Sequence, residues 1–281
     1  MNCDLHTHTV HSDGSYTPQQ LIAAACEKKL IIALTDHNTV SGLDEFLSEA
    51  ERLGVTAIGG CELSTVYGKK EFHLIGLFIA PEHYADLENL FDEYHRLKEQ
   101  SNKDLVNRLR DAGYKIEYGE IKSRNINGRV NRAHIAAELI KCGYVESISD
   151  AFDSLLDEKH GFYIPPKRLG LVDAICFLRK INAVPILAHP LKEIDAQELR
   201  IMLPELKEAG LAAIETMHSS YSEEKISVSK EIAIEFDLLE SGGSDFHGEI
   251  KPGINLGVGK GNLNVDFCVY EKLLDYHRNM I

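Results

Sequence analysis

Short apolar runs that alternate with amphipathic stretches constrain this chain more than any other feature of its sequence. Leu30 to Leu34, Val55 to Ile58 and Phe72 to Ile79 near the start, and Val184 to Ala188, Ala212 to Thr216 and Leu238 to Ser241 near the end, read as strands. Helical segments separate them. Thr17-Pro18-Gln19-Gln20 opens one with a capping residue and a proline at the first helical position, and Ser41 to Leu53, Leu171 to Ile181, Ala196 to Ala209 and Glu223 to Phe236 supply others. Strand and helix in alternation predict βα units and a parallel α/β sheet or barrel. From Pro81 to about Leu169 the strand signal fades, and charged, helix-periodic sequence takes over in Asp86 to Ala112 and Ala133 to Ile140. The expected organisation is an α/β domain formed by residues 1–80 and 170–281, carrying a mainly helical insertion over 81–169.

The polar residues that punctuate the α/β part are of one chemical kind. His6 and His8 follow the first strand two residues apart, so their imidazoles point to the same side of an extended chain. Asp13 comes next in a Ser-Asp-Gly turn, His37 closes the strand Ile31 to Thr35, Glu62 follows Val55 to Gly60, and His73 lies in the next apolar run. His189 ends a later strand, and Asp245 and His247 repeat the two-residue spacing after Gly242-Gly243. Taken singly, a histidine at a strand end is more often packed than ligating, and chance alone supplies a His-x-His pair about 0.6 times in such a chain. Residues just past strand ends converge on one mouth of a parallel barrel, however, and nine ligand-type side chains at such positions point to metal. Imidazole mixed with carboxylate suits zinc, manganese or iron. Nine ligands with one bridging carboxylate serve two or three divalent ions.

Composition narrows the remaining classes. The chain has no run of 18 apolar residues and no basic, apolar leader, so neither a membrane nor a secretory route is expected and the location implied is cytoplasmic. Six cysteines without a CxxC pair argue against a disulfide framework and a thiolate zinc site, and most of them are expected to be buried. A net charge of -14 argues against long nucleic acid as a partner. It does not exclude a small phosphorylated substrate, because bound divalent ions are often the largest local charges in a site and can invert the sign of the field there. No organic cofactor is expected.

The motifs Asp4-Leu5-His6-Thr7-His8, Thr35-Asp36-His37, Gly60-Cys61-Glu62, His73, Ala188-His189-Pro190 and Ser244-Asp245-Phe246-His247 resemble those of the PHP (polymerase and histidinol phosphatase) family. The resemblance implies an α/β fold, a distorted (βα)7 TIM-like barrel, with a trinuclear metal site. One ion would take His6, His8, Glu62 and Asp245, a second Glu62, His73 and His189, and a third Asp13, His37 and His247, with Glu62 bridging. Histidinol phosphatases usually carry histidine where this chain has Asp13. The Asp13 version, with Val130-Asn131-Arg132-Ala133-His134-Ile135-Ala136 and Gly161-Phe162-Tyr163-Ile164-Pro165-Pro166, is similar to the subset acting on nucleoside 3′,5′-bisphosphates and short oligoribonucleotides. The implied activity is a metal-dependent phosphoesterase in which metal-activated water attacks a phosphomonoester, with trimming of short RNA as an option. Its rivals are a histidinol-phosphate phosphatase, an amidohydrolase, for which nine ligands are too many, and a metal-stabilised module without catalysis, for which too few have been lost.

Roles outside the ligand set follow from chemistry. No Ser or Cys lies in a recognisable nucleophile setting. Arg129 and Arg132 are candidates for a phosphate, since guanidinium forks match its oxygens; a solvated helix start is the alternative. His134 is placed to touch a phosphate oxygen or protonate the leaving group, or else to cap a helix. His218, just after a strand, is a second candidate acid or substrate contact. Asp36, counted here with the catalytic residues, and Asp4 are expected to accept the free N–H of neighbouring imidazoles. His11, His83, His95, His160 and His277 read as surface residues.

Overall fold

The structure is a computed structural model that describes residues 2–124, 130–166 and 168–280. The chain divides into two compact units, Met1–Glu88 with Leu169–Ile281, and Asn89–Arg168. The first is built on strands β1 (Asn2–Asp4), β2 (Ile31–Leu34), β3 (Ala57–Tyr67), β4 (Lys70–Leu77), β5 (Val184–Leu187), β6 (Ala213–His218), β7 (Leu239–Gly243) and β8 (Val265–Asp266). They form one sheet in the order β7-β6-β5-β4-β3-β2-β1-β8. In chain order the helices are α1 (Pro18–Lys28), α2 (Leu43–Leu53), α3 (Tyr84–Asp111), α4 (Tyr118–Ser123), α5 (Arg132–Lys141), α6 (Ile148–Ala151), α7 (Leu171–Lys180), α8 (Pro190–Glu193), α9 (Ala196–Glu208), α10 (Glu223–Glu235) and α11 (Phe267–Arg278). Thr17 closes a reciprocal capping box with Gln20, which is why α1 starts where its sequence signal falls.

Strands β1, β2 and β3 pair in parallel, as do β5, β6 and β7. The expectation of a parallel sheet fails at β8, which is antiparallel to β1, and at β4, which runs antiparallel to both β3 and β5. At β4 the cause is local: only Gly68 and Lys69 separate β3 from β4, a two-residue hairpin with Gly68 at φ +61°, whereas a parallel partner needs a crossover of a dozen residues or more. The hairpin also makes β3 longer than its apolar run, so Glu62 lies within the strand rather than after it.

The sheet curls into a nearly closed distorted barrel. Past the end of β1, Leu5 N–H donates to the Gly242 carbonyl (3.2 Å), Asp245 N–H to that of His6 (3.0 Å) and His8 N–H to that of Phe246 (2.9 Å). A Cβ on Gly243 would lie 2.4 Å from the His6 Cβ, so only glycine lets β7 approach the ligand-bearing end of β1 this closely. Apolar side chains such as Leu5, Ile31, Ile58, Ile75, Ile186 and Val265 fill the core. The second unit has a core of its own, formed by Leu105, Leu109, Ile121, Ile135, Leu139 and Leu156 among others.

All six cysteines are free, but only Cys3 and Cys61 are buried; Cys26, Cys142, Cys176 and Cys268 lie on exposed positions at or near helices, contrary to the expectation from sequence. Among the described residues no helix is long and apolar enough to cross a membrane.

Candidate metal centre

Parallel strands deliver their carboxyl ends to one rim, and the ligand-type residues follow from that direction. His6 and His8 extend β1, His37 follows β2, His189 follows β5, and Asp245 and His247 follow β7. His73 reaches the same place from within β4 because that strand runs the opposite way. The Nε2 atoms of His6 and His8 are 3.1 Å apart, on one side of the chain as their spacing predicts.

Glu62, fully buried, is the hub. Its Oε2 faces Nε2 of His6 (3.1 Å), Nε2 of His8 (3.2 Å) and Nδ1 of His37 (3.1 Å), while Oε1 faces Nδ1 of His73 (2.9 Å) and Nε2 of His189 (3.3 Å). Asp245 Oδ1 lies 3.4 Å from His8 Nε2, 3.7 Å from His6 Nε2 and 3.4 Å from His247 Nδ1. Asp13, more exposed than the rest, has Oδ1 3.1 Å from His247 Nε2 and 3.9 Å from His8 Nδ1, and Oδ2 3.9 Å from His37 Nε2. All nine residues thus meet in one cluster. His8, Asp13, His37 and His247 form one compact group, His6, His8 and Asp245 another, and His37, Glu62 and His73 a third.

The donor chemistry fits divalent cations. His8 Nδ1, His37 Nδ1, His73 Nδ1, His189 Nδ1, His247 Nε2 and both Glu62 carboxylate oxygens are buried and make no hydrogen bond of acceptable geometry, although polar atoms of the cluster lie as close as 2.9 Å. So many crowded polar atoms without well-formed hydrogen bonds are costly unless an electron-pair acceptor binds them. Two of the residues also hold strained backbone, His189 at φ +31° and Asp245 at φ +56°, a conformation uncommon outside glycine. The field is tightly coupled. Burial opposes charge on His6, but Glu62 and Glu215 overcome it and hold that imidazole well above its usual pKa. Burial likewise opposes charge on His8, which Asp245 and Glu62 push up to about 9. Burial lowers His37 to about 3 despite Glu62. Glu62 stays far below the usual carboxylate range although burial acts against its charge, because His6, His37 and His73 surround it.

Two residues that the sequence reading passed over belong to the site. Glu215, on β6 and fully buried, accepts from His6 Nδ1–H at 2.9 Å and from the His189 backbone N–H at 2.7 Å. It leaves His6 Nε2 as the lone-pair nitrogen, the carboxylate–histidine arrangement common around bound metal. A glutamate inside the apolar run Ala212 to Thr216 was the signal for it. The second is Lys251, whose Nζ lies 2.9 Å from Asp245 Oδ2; nothing in the strand pattern marks it.

His218 ends β6 with Nε2 3.6 Å from Asp245 Oδ2. The Ser220 backbone N–H donates to its Nδ1 at 3.1 Å, so the neutral ring carries its proton on Nε2 and presents a donor to the cluster. Asp36 and Asp4 differ from expectation, since neither is hydrogen-bonded to an imidazole. Asp36 accepts from Thr9 N–H (2.7 Å), Thr9 Oγ1 (2.5 Å) and Ser12 Oγ (2.5 Å), which shapes the loop before Asp13. Asp4 accepts from Ser244 N–H and Oγ and from Gly257 N–H, which fixes the segment before Asp245. Both carboxylates act on the loops that carry Asp13 and Asp245. A cleft of about 210 Å3 lined by Glu71, His73, His189 and Glu193 borders the cluster.

In the second unit Asn131 and His134 close a capping box at the start of α5, with His134 Nδ1 accepting from Asn131 N–H, so this histidine caps the helix. The Arg132 guanidinium lies 4.2 Å from the Tyr163 ring centroid and 5.1 Å from that of Phe152, and Nη1 donates to the Leu156 carbonyl at 3.2 Å. Arg129 lies outside the described residues. His11, His83, His95, His160 and His277 are half-buried rather than exposed, His277 stacking on Phe78 at 4.8 Å, and none of them joins the cluster.

Imidazoles and carboxylates gathered at the rim of an α/β barrel, with no side-chain nucleophile among them, define a metal-dependent hydrolase. The PHP domain profile matches residues 4–165. Over 260 residues the chain is 30% identical to a 5′-3′ exoribonuclease of Haemophilus influenzae, covering 91% of this chain and 94% of that one. Over 266 residues it is 27% identical to a 3′,5′-nucleoside bisphosphate phosphatase of Chromobacterium violaceum, covering 91% and 90%. A solved structure from Bifidobacterium adolescentis, described as that of a metal-dependent phosphoesterase, matches with a TM-score of 0.70 and 27% identity over 97% of this chain and 95% of that one. The chain belongs to the PHP family, and it is a metal-dependent phosphoesterase.

Proposed function

We propose that this enzyme removes a phosphomonoester from nucleoside 3′,5′-bisphosphates and trims short oligoribonucleotides, using two to three divalent ions (manganese, zinc or iron) in the cluster. The observation that carries this reading is Asp13 in the group with His8, His37 and His247, the position where histidinol phosphatases usually carry histidine. The likeness to an exoribonuclease and to a bisphosphate phosphatase over about nine-tenths of the chain supports it. His6, His8, Glu62 and Asp245 would hold one ion, Glu62, His73 and His189 a second, and Asp13, His37 and His247 a third. Bound ions of this kind supply a water of lowered pKa and offset charge on phosphoryl oxygens.

The chain's own residues do the rest. Glu215 keeps His6 turned with Nε2 toward the ions, and Asp36 and Asp4 hold the two ligand loops in register. His218 offers its Nε2–H to a phosphoryl or leaving-group oxygen. Arg129, Arg132 and His134 of the insertion are the proposed contacts for the second phosphate. Six free cysteines support a reducing, cytoplasmic setting.

The test compares phosphate release from adenosine 3′,5′-bisphosphate with release from histidinol phosphate, alongside metal analysis of Asp13→Ala. The bisphosphate is expected to turn over faster, and Asp13→Ala to lose metal and activity. A clear preference for histidinol phosphate overturns the substrate, and full activity in Asp13→Ala removes the third ion from the reaction.

A further inference from the structure

Asp245 divides its two oxygens between two environments. Oδ1 faces the imidazoles of His6, His8 and His247, whereas Oδ2 takes the Lys251 ammonium at 2.9 Å and faces His218 Nε2 at 3.6 Å. Among the described residues Lys251 is the one lysine or arginine in ion-pair contact with a carboxylate of the cluster. We infer that Lys251 and His218 form a donor pair that binds a phosphoryl oxygen of the substrate beside Asp245.

Three features carry this. First, an ammonium has three donors, the contact with Asp245 uses one, and the side chain is 35% exposed at the edge of the cluster. Second, His218 presents N–H rather than a lone pair, because Ser220 N–H occupies Nδ1, and its buried Nε2 makes no hydrogen bond of acceptable geometry, the facing Asp245 Oδ2 lying 3.6 Å away. A buried donor held at that distance gains when a closer oxygen arrives. Third, the lysine is held in place. It follows a short turn, Gly248–Ile250, in which Gly248 has φ +67° and a Cβ there would lie 2.1 Å from Ser15 Oγ; Glu249 N–H donates to that same oxygen at 2.8 Å. The loop bearing Lys251 is therefore fastened to the loop bearing Asp13, and little ordering remains to be lost on binding.

Charge balance alone does not call for this lysine, since Asp245 already faces four imidazoles. What a fixed cation adds is a partner for a dianion whose equatorial oxygens must be stabilised as the ester bond breaks. The inference rests on the phosphoesterase reading but not on which nucleotide is the substrate.

The experiment uses the full chain loaded with metal, as wild type, Lys251→Met and Lys251→Arg. Inorganic phosphate binding is measured by calorimetry, and metal content and thermal melting are measured on the same samples. Lys251→Met is expected to keep its metals and melting temperature while phosphate affinity drops about 10- to 100-fold, the size of one charge-assisted hydrogen bond, with partial recovery in Lys251→Arg. Unchanged phosphate affinity in Lys251→Met overturns the inference. So does a loss of affinity that tracks a loss of metal, which would make the lysine only a support for Asp245. Wild-type protein that binds metal and hydrolyses a phosphomonoester but binds no phosphate overturns the inference alone; the reading it rests on fails only if the metal-loaded protein hydrolyses no phosphate ester.

Discussion

Glu215 aims two of the imidazoles that meet on Glu62, taking one hydrogen bond from the His6 ring and one from the His189 backbone. Its replacement by glutamine is expected to weaken metal binding about 10- to 100-fold, measured as metal content after dialysis against graded chelator. Unaltered content would show that His6 needs no orienting partner. A second expectation concerns protons. With His8 pushed up to about 9 and His6 also raised, the metal-free cluster holds protons near neutral pH, and an ion must displace them. Metal affinity should therefore rise with pH until about 9, and uptake near pH 7.5 should release about one proton or more. Calorimetry in buffers of different ionisation enthalpy reads that number directly, and zero release would contradict the raised values. At this scale the nine clustered side chains were legible because histidine and carboxylate stand out at strand ends. Glu215 was only half legible. Lys251 was not, because a lysine in a loop looks like any solvated lysine until Asp245 is placed beside it.

Elements carry these side chains into place, and glycine decides how close they come. Gly243→Ala sets a methyl group against the His6 backbone where β7 meets the extension of β1. The expected cost is about 1–3 kcal/mol of stability in denaturant unfolding, with reduced metal retention; an unchanged midpoint would mean that the barrel seam yields easily. In the insertion, Arg132 stacks over Tyr163 and caps the Leu156 carbonyl. Arg132→Ala is expected to speed hydrogen exchange in α5 and across Phe152–Leu156, besides any loss of substrate binding. Helix limits followed from caps and periodicity to within a residue or two, as in Glu223–Glu235 and Leu171–Lys180. The antiparallel β4 did not, because an apolar run reports burial and not direction; only the two-residue link at Gly68-Lys69 betrays it.

For the whole molecule, bound ions and folding are linked. Ions that bind the folded chain and not the unfolded one stabilise it by mass action, about 2.7 kcal/mol when their concentration is a hundred times the dissociation constant. Chelation is therefore expected to abolish phosphatase activity and lower the melting temperature by about 5–10 °C, both restored by adding divalent metal back. Activity that survives exhaustive chelation would exclude metal dependence. The net charge of -14 gives no hint of an anion site, because bound ions and Lys251 would set the local field rather than the sum over the chain. By itself the sequence determined the α/β class and the chemical kind of the site, since periodicity and residue type are local properties. The tertiary structure alone decided that β4 runs backwards, that Asp36 and Asp4 brace loops instead of imidazoles, and that Glu215 and Lys251 join His6 and Asp245. Those facts depend on which distant segments a closing barrel brings within 3 or 4 Å, and no local pattern encodes that distance.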